Sequence, residues 1–91
     1  MMYPFIKYSD ETEVVFSDIR NKENGEEYLL ICFERPTESG FDTIIFELPS
    51  YKIVKKEGNY TEEEIERFYK IVERGAPLFF KYAREGGMKI A

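Results

Sequence analysis

The segment ENGE at positions 23–26 constrains the fold of this chain more than any other stretch of its sequence. Asn24 and Gly25 both tolerate the positive φ that a two-residue type I′ hairpin turn requires, and apolar runs stand on both sides. A two-residue turn places Phe16 opposite Phe33, and side chains alternate between the two faces of each strand. One face of the predicted hairpin is apolar and is assigned to the core: Val14, Phe16, Leu29, Ile31 and Phe33.

A second turn is predicted within PTESGF at 36–41, which is rich in turn-forming residues and precedes the strand DTIIFEL. Pairing Arg35 with Asp42 joins opposite charges across the strands and keeps the apolar faces in step. The result is a three-stranded antiparallel meander, which gains a fourth and a fifth strand if the segments at 51–54 and 5–8 are also extended. The apolar pairs in this register are Phe33 with Ile44, Ile31 with Phe46, and Leu29 with Leu48.

The C-terminal third changes to a helical period after Thr61, which forms a capping box with Glu64. Gly75 is predicted to end this first helix. Pro77 is predicted to begin a second helix, which runs to Arg84 or Glu85 and ends at Gly86 and Gly87. The apolar stripes are Ile65, Phe68, Tyr69 and Val72 in the first helix, and Leu78, Phe79, Tyr82 and Ala83 in the second. The predicted fold is α+β: an antiparallel three-stranded meander followed by two C-terminal helices packed on one face, in a single domain over residues 1–91.

Histidine is absent from the 91 residues, and this absence restricts function more than any other feature of the composition. It removes the commonest general base, the Cys-His and Ser-His nucleophile pairs, and imidazole ligands for metals. We therefore expect no catalytic residue, no metal ion and no cofactor, and we predict that the protein is not an enzyme. The less favoured alternative is an enzyme that uses aspartate, glutamate, tyrosine or lysine side chains in a cleft. The single cysteine, Cys32, lies in a predicted strand and is expected to be a small buried apolar residue.

The sequence carries no pattern typical of a membrane or secreted protein. Its longest uninterrupted apolar run covers residues 28–33, whereas a membrane-spanning helix needs about 18 residues or more. The first residues lack the basic front and the apolar core of a secretory signal, and a single cysteine fits a reducing compartment. We expect a cytoplasmic protein that does not associate with membranes.

The second face of the predicted meander is also partly apolar, although both helices are expected on the first face. In the predicted register its apolar residues are Val15, Ile19, Leu30, Cys32 and Ile45. An uncovered apolar patch indicates a contact surface, and it can be covered by residues 1–8, by a second copy of the chain or by a different protein. We favour a non-enzymatic protein-interaction module that binds another protein, or a second copy of itself, through this face; the acidic end of the hairpin is the alternative contact surface.

The acidic half of the chain supports a different hypothesis. Residues 1–66 carry 16 acidic and 7 basic side chains, whereas residues 67–91 carry 2 acidic and 6 basic ones. Dense carboxylates are what an acidic nucleic-acid mimic would present to a DNA-binding protein or a nuclease in order to inhibit it.

The basic half of the chain contains a possible phosphate-binding feature, which we call the basic ridge. It consists of Arg67, Lys70 and Arg74 on the outer side of the first predicted helix. Glu63 and Glu66 each precede a member of the ridge by four residues, which is the favoured spacing for helical ion pairs. Direct nucleic-acid binding is disfavoured, because of these pairs and because domains that bind by charge are normally basic overall.

Overall fold

The computed structural model describes residues 2–87 as an antiparallel sheet with one C-terminal helix packed on one of its faces. The elements are β1 (Met2–Lys7), β2 (Glu13–Ser17), β3 (Arg20–Asn21), β4 (Glu27–Thr37), β5 (Gly40–Leu48), β6 (Lys52–Glu57) and α1 (Glu62–Arg84). The longer strands lie in the order β1, β2, β4, β5, β6, and β3 pairs with β4. The α+β class is confirmed, and the predicted three-stranded meander is the centre of a larger sheet whose edges are β1 and β6.

The pairing of β4 with β5 follows the predicted register along its whole length. Arg35 lies opposite Asp42, and the three predicted apolar pairs are all formed. The turn is tighter than the predicted one, because the strands continue to Thr37 and Gly40. Both strands are extended equally, so the change shortens the loop without altering the register.

The register of β2 against β4 differs from the prediction by two residues. Phe16 lies opposite Ile31 rather than Phe33. One residue of this difference comes from the turn, which is a three-residue loop and not a two-residue one. Gly25, the last residue of that loop, has φ of 87°, which is the left-handed conformation that such loops require.

The other residue of the difference is a bulge between β2 and β3. Between the pairs Phe16–Ile31 and Arg20–Tyr28, three residues of one strand face two residues of the other. An extra residue inverts the alternation of side chains between the faces. The longer turn and the bulge each shift the register by one residue, so together they keep the core residues of β2 on the predicted face. Ile19 lies between the bulge and the turn, and its side chain therefore moves to the other face. Ile19 packs against the hydrophobic core, so its assignment to the second face was wrong.

The C-terminal third is one continuous helix, so the prediction of two helices was wrong. Gly75 is buried against Phe79, and a Cβ atom at this position would lie 2.8 Å from Cε2 of that ring. The glycine is therefore needed for close packing and does not end the helix. Pro77 is accommodated inside α1. The helix ends as predicted at the two following glycines, where Gly86 has φ of 80° and the N–H of Gly87 closes the last turn.

The helix covers the first face of the sheet with a single apolar stripe. Its buried residues are Phe68, Val72, Gly75, Phe79 and Ala83. Beneath them lie the fully buried sheet residues Val14, Phe16, Leu29, Ile31, Phe33, Ile44, Phe46 and Leu48. Because consecutive helical residues are rotated by about 100°, Leu78 points away from the stripe that contains Phe79 and is 45% exposed. The predicted core position of Leu78 was wrong for this reason.

A charged cluster around Arg35 fastens the end of the sheet to the start of α1. The guanidinium group donates to Asp42 at 2.8 Å and to Glu64 at 2.6 Å, and it lies 4.6 Å from the centre of the Tyr60 ring. Glu64 also accepts from the N–H of Thr61 at 3.0 Å, while the Thr61 hydroxyl accepts from the N–H of Glu64 at 3.1 Å. The predicted ion pair of Arg35 with Asp42 and the predicted capping box are both confirmed.

Candidate protein-interaction surface

The second face of the sheet, which we call the open face, lies opposite α1. Residues 2–7 do not fold across it, because they form the edge strand β1. In β1, Tyr3 and Phe5 pack against the hydrophobic core instead; Met1 lies outside the described residues. The described residues of the N-terminal segment therefore do not cover the open face. A second copy of the chain and a different protein are the two remaining alternatives.

An apolar row crosses the centre of the open face. Val15 lies opposite Cys32, and Cys32 lies opposite Ile45 on the next strand. Leu30 is two residues from Cys32 and shares its face. Cys32 is 3% exposed, whereas the other three are half-buried. The structure thus brings together four of the five predicted contact residues, and the fifth, Ile19, is on the core side.

The thiol of Cys32 is held in its neutral form. Its Sγ donates to Oε1 of Glu34 at 3.2 Å. Burial, together with this carboxylate, raises the pKa of the Cys32 thiol to about 12. The thiolate is the nucleophilic form of cysteine, so this environment disfavours Cys32 as a nucleophile at neutral pH. The prediction that it is a small buried residue is confirmed.

Alkylation should report this environment directly. At about pH 8 we expect iodoacetamide to modify Cys32 at least about a hundredfold more slowly in the folded protein than in the urea-unfolded chain. Because the folded-state pKa lies above the ordinary value of 9.0, the thiol stabilises the fold below that pH and loses this contribution as the pH rises towards 12. A Cys32→Val variant should lack the part of the loss of stability at alkaline pH that ionisation of the thiol causes. Equal alkylation rates in the folded and unfolded chains would contradict the burial of the thiol.

A cleft of about 240 Å³ opens at the end of the open face beside the β4–β5 turn, and we call it the acidic cleft. Its lining residues are Lys7, Glu11, Glu13, Val15, Glu34, Pro36 and Phe41. Glu13 and Glu34 lie directly opposite each other on β2 and β4, a position in which like charges repel. Lys7 pairs with Glu11 at 3.0 Å. Lys7 also lies opposite Glu13 on the neighbouring strand. Within residues 2–87, neither Glu13 nor Glu34 forms a direct ion pair, so the three carboxylates that line the cleft face the single ammonium group of Lys7.

Phe41 forms the apolar wall of the acidic cleft. Its side chain is 59% exposed and lies opposite Pro36. Sequence reasoning missed this cleft because the predicted β2–β4 register, two residues out of place, set Val15 opposite Glu34. Alternate residues of a strand lie on the same face, so Phe41 shares the open face with residue 43 and Ile45, and this signal was available in the sequence.

The basic ridge is exposed along one side of α1. Arg67, Lys70 and Arg74 surround the aliphatic Ile71, and the four residues line a shallow cleft of about 250 Å³. The expected helical ion pairs with the preceding glutamates are not formed. Across residues 2–87, no ion pair involves any of the three ridge side chains. The ridge is therefore a cationic surface with the half-buried Ile71 at its centre.

Two other kinds of site were sought in the described part of the chain. Residues 2–87 contain no group of three or more cysteine, aspartate or glutamate side chains arranged to hold a metal ion. Over the same residues, α1 is too polar to cross a membrane, and it is the only helix. Comparison of the chain with protein-family models, with curated proteins and with solved structures found no match.

Proposed function

We propose that the protein is a non-enzymatic protein-interaction module whose open face binds a basic and partly apolar segment of another protein. The observation that carries this proposal is the pair Glu13 and Glu34, which lie opposite each other without a direct ion pair, beside the exposed ring of Phe41. A partner side chain of matching chemistry has a cationic end and an apolar stem.

Arginine fits the acidic cleft best among the natural side chains. Its planar guanidinium group can donate to two carboxylates at once, and it also stacks on aromatic rings. Glu13 and Glu34 would share the charged end, while the stem would lie against Phe41 and Pro36. A bound cation would also relieve the repulsion between the two carboxylates, so this interaction stabilises the complex without requiring any rearrangement of the sheet.

The apolar row extends the proposed contact beyond the acidic cleft. Val15 belongs to both features, since it lines the cleft and lies opposite Cys32 in the row. A partner segment that enters the cleft can therefore continue over Cys32 and Ile45 towards Leu30. This arrangement of a few charged groups at the edge of an apolar centre is typical of protein-protein interfaces.

The acidic nucleic-acid mimic remains a second proposal, supported by the formal charge of −5. It makes a different prediction, because charge presentation depends on the total of exposed carboxylates and not on one pair. Glu23 and Glu26 in the β3–β4 turn are exposed acids outside the acidic cleft. A Glu23→Gln/Glu26→Gln variant thus removes the same charge as Glu13→Gln/Glu34→Gln and serves as the matched control.

Affinity capture with matched baits tests the proposal. The natural chain, the Glu13→Gln/Glu34→Gln variant and the Glu23→Gln/Glu26→Gln variant are each used to capture proteins from the native lysate at low and at high salt. We expect a protein that is retained by the natural chain and by the turn variant, and whose recovery falls about tenfold or more with the cleft variant. Equal losses with both variants would favour the mimic, and unchanged recovery with the cleft variant would overturn the role of the acidic cleft.

A further inference from the structure

The basic ridge and the acidic cleft are complementary in two respects. The ridge has three cations around Ile71, and the cleft has carboxylates around Val15, Pro36 and Phe41. Each surface thus combines an apolar centre with a charged rim, and the signs of the two rims are opposite. Within residues 2–87 the ridge cations form no direct ion pair, and the cleft has three carboxylates to its one cation, Lys7.

The dimensions of the ridge suit a segment that docks in a cleft. Arg67 and Arg74 are seven residues apart on α1, which corresponds to about 10.5 Å along the helix axis. They lie on the same side of the helix, with Ile71 between them. One arginine can therefore enter the acidic cleft while Ile71 contacts its apolar wall. The ridge is an exposed, regular helical surface, so it needs no ordering before it binds.

We infer that a second copy of this chain is a partner of the acidic cleft, and that it docks through its basic ridge. The inference rests on the proposed function, because it names one occupant of the same cleft. The two surfaces lie on opposite sides of the sheet, since α1 packs on the first face and the cleft opens on the other. Such a contact joins unlike surfaces, so every pair leaves one free ridge and one free cleft, and the assembly grows head to tail with concentration.

A nucleic acid is a less suitable occupant of the ridge. Ile71 at the centre of the ridge is aliphatic, whereas platforms for single strands stack bases on exposed aromatic rings. The carboxylates of residues 1–66 would also repel a polyphosphate as it approached. A peptide-like surface that presents carboxylates beside apolar side chains has neither disadvantage, and the acidic cleft of another copy is such a surface.

Sedimentation velocity with two complementary variants tests the inference. Glu13→Gln/Glu34→Gln neutralises the cleft and keeps the ridge, whereas Arg67→Gln/Arg74→Gln neutralises the ridge and keeps the cleft. We expect the natural chain to form oligomers whose mean mass rises with concentration. Each variant alone should remain monomeric at those concentrations, and an equimolar mixture should form dimers only, because one intact ridge meets one intact cleft. All substituted side chains are exposed or at the cleft rim, and circular dichroism melting confirms that each variant is folded.

The possible results separate the inference from the proposed function. A natural chain that stays monomeric, or a mixture that forms no dimer, would overturn the head-to-tail contact. If the cleft variant still loses captured proteins in that case, the proposed function holds with a different partner. A fluorescent single-stranded oligonucleotide serves as the second probe: binding that Arg67→Gln/Arg74→Gln abolishes, in a chain that does not self-associate, would instead assign the ridge to nucleic acid.

Discussion

Replacement of Phe79 by alanine is expected to lower the free energy of unfolding by about 3 to 5 kcal/mol. The ring is fully buried between the helix and the sheet, with its centre 4.6 Å from that of Phe5 and 5.5 Å from that of Phe16. The neighbouring aromatic rings cannot close the space that the truncation leaves, so a cavity adds to the loss of buried apolar surface. This is the largest effect that we expect from any single substitution in α1.

Leu78→Ala is the matched control, since it truncates the adjacent residue of the same helix. Leu78 is 45% exposed, and we expect its replacement to cost about 1 kcal/mol or less. Urea unfolding of both variants, with the m-value checked for constancy, measures the difference. Similar losses for the two variants would mean that α1 is rotated about its axis, with both side chains in the core as the sequence-based prediction had them.

The pairing of β4 with β5 was predictable because its signals are local and agree with one another. A turn-rich segment, an opposite-charge pair at Arg35 and Asp42, and three apolar pairs all require the same register. Errors in the length of that turn did not matter, since both strands gained residues equally. The face of β2 that enters the core was also predictable, because two offsets of one residue cancel in a pattern with a period of two.

The bulge between β2 and β3 had no signal in the sequence that we could identify. It is stabilised by contacts that become available only in the folded sheet, such as the hydrogen bond from the Leu30 N–H to Oγ of Ser17 at 2.9 Å. The acidic cleft depends on this bulge, because only the shifted register sets Glu13 opposite Glu34. The apolar row was therefore accessible to sequence reasoning, whereas the charged pair beside it was not.

The error in the helical region has a different origin. Gly75 and Pro77 are typical of a helix end followed by a helix start, and local propensity alone favours that interpretation. Tertiary packing decides otherwise, because the missing side chain of Gly75 makes room for the ring of Phe79. A glycine that serves close packing cannot be distinguished by composition from a glycine that ends a helix.

Asp42→Asn is expected to destabilise the fold by about 2 to 3 kcal/mol at neutral pH. The carboxylate of Asp42 is almost fully buried, accepts from Arg35 at 2.8 Å and accepts from the N–H of Asn59 at 2.8 Å. Asparagine removes the negative charge from a guanidinium group whose side chain is only 22% exposed. We place the cost below that of a fully buried pair because Arg35 keeps its contact with Glu64. Glu57→Gln, in the exposed pair with Lys55, is the control and should change stability by less than about 0.5 kcal/mol.

The same substitution should alter the response of the protein to acid. The backbone N–H of Asn59, and next the Arg35 guanidinium, hold the pKa of Asp42 below its ordinary value of 3.8. Since the folded-state pKa is the lower one, this carboxylate stabilises the fold above about pH 4 and loses its contribution as the pH falls below that value. The stability difference between the natural chain and Asp42→Asn, measured by urea unfolding at about pH 7 and about pH 3, should therefore shrink on acidification. A difference that stayed constant with pH would show that Asp42 contributes through packing alone, and that the charged cluster is not what fastens the sheet to the start of α1.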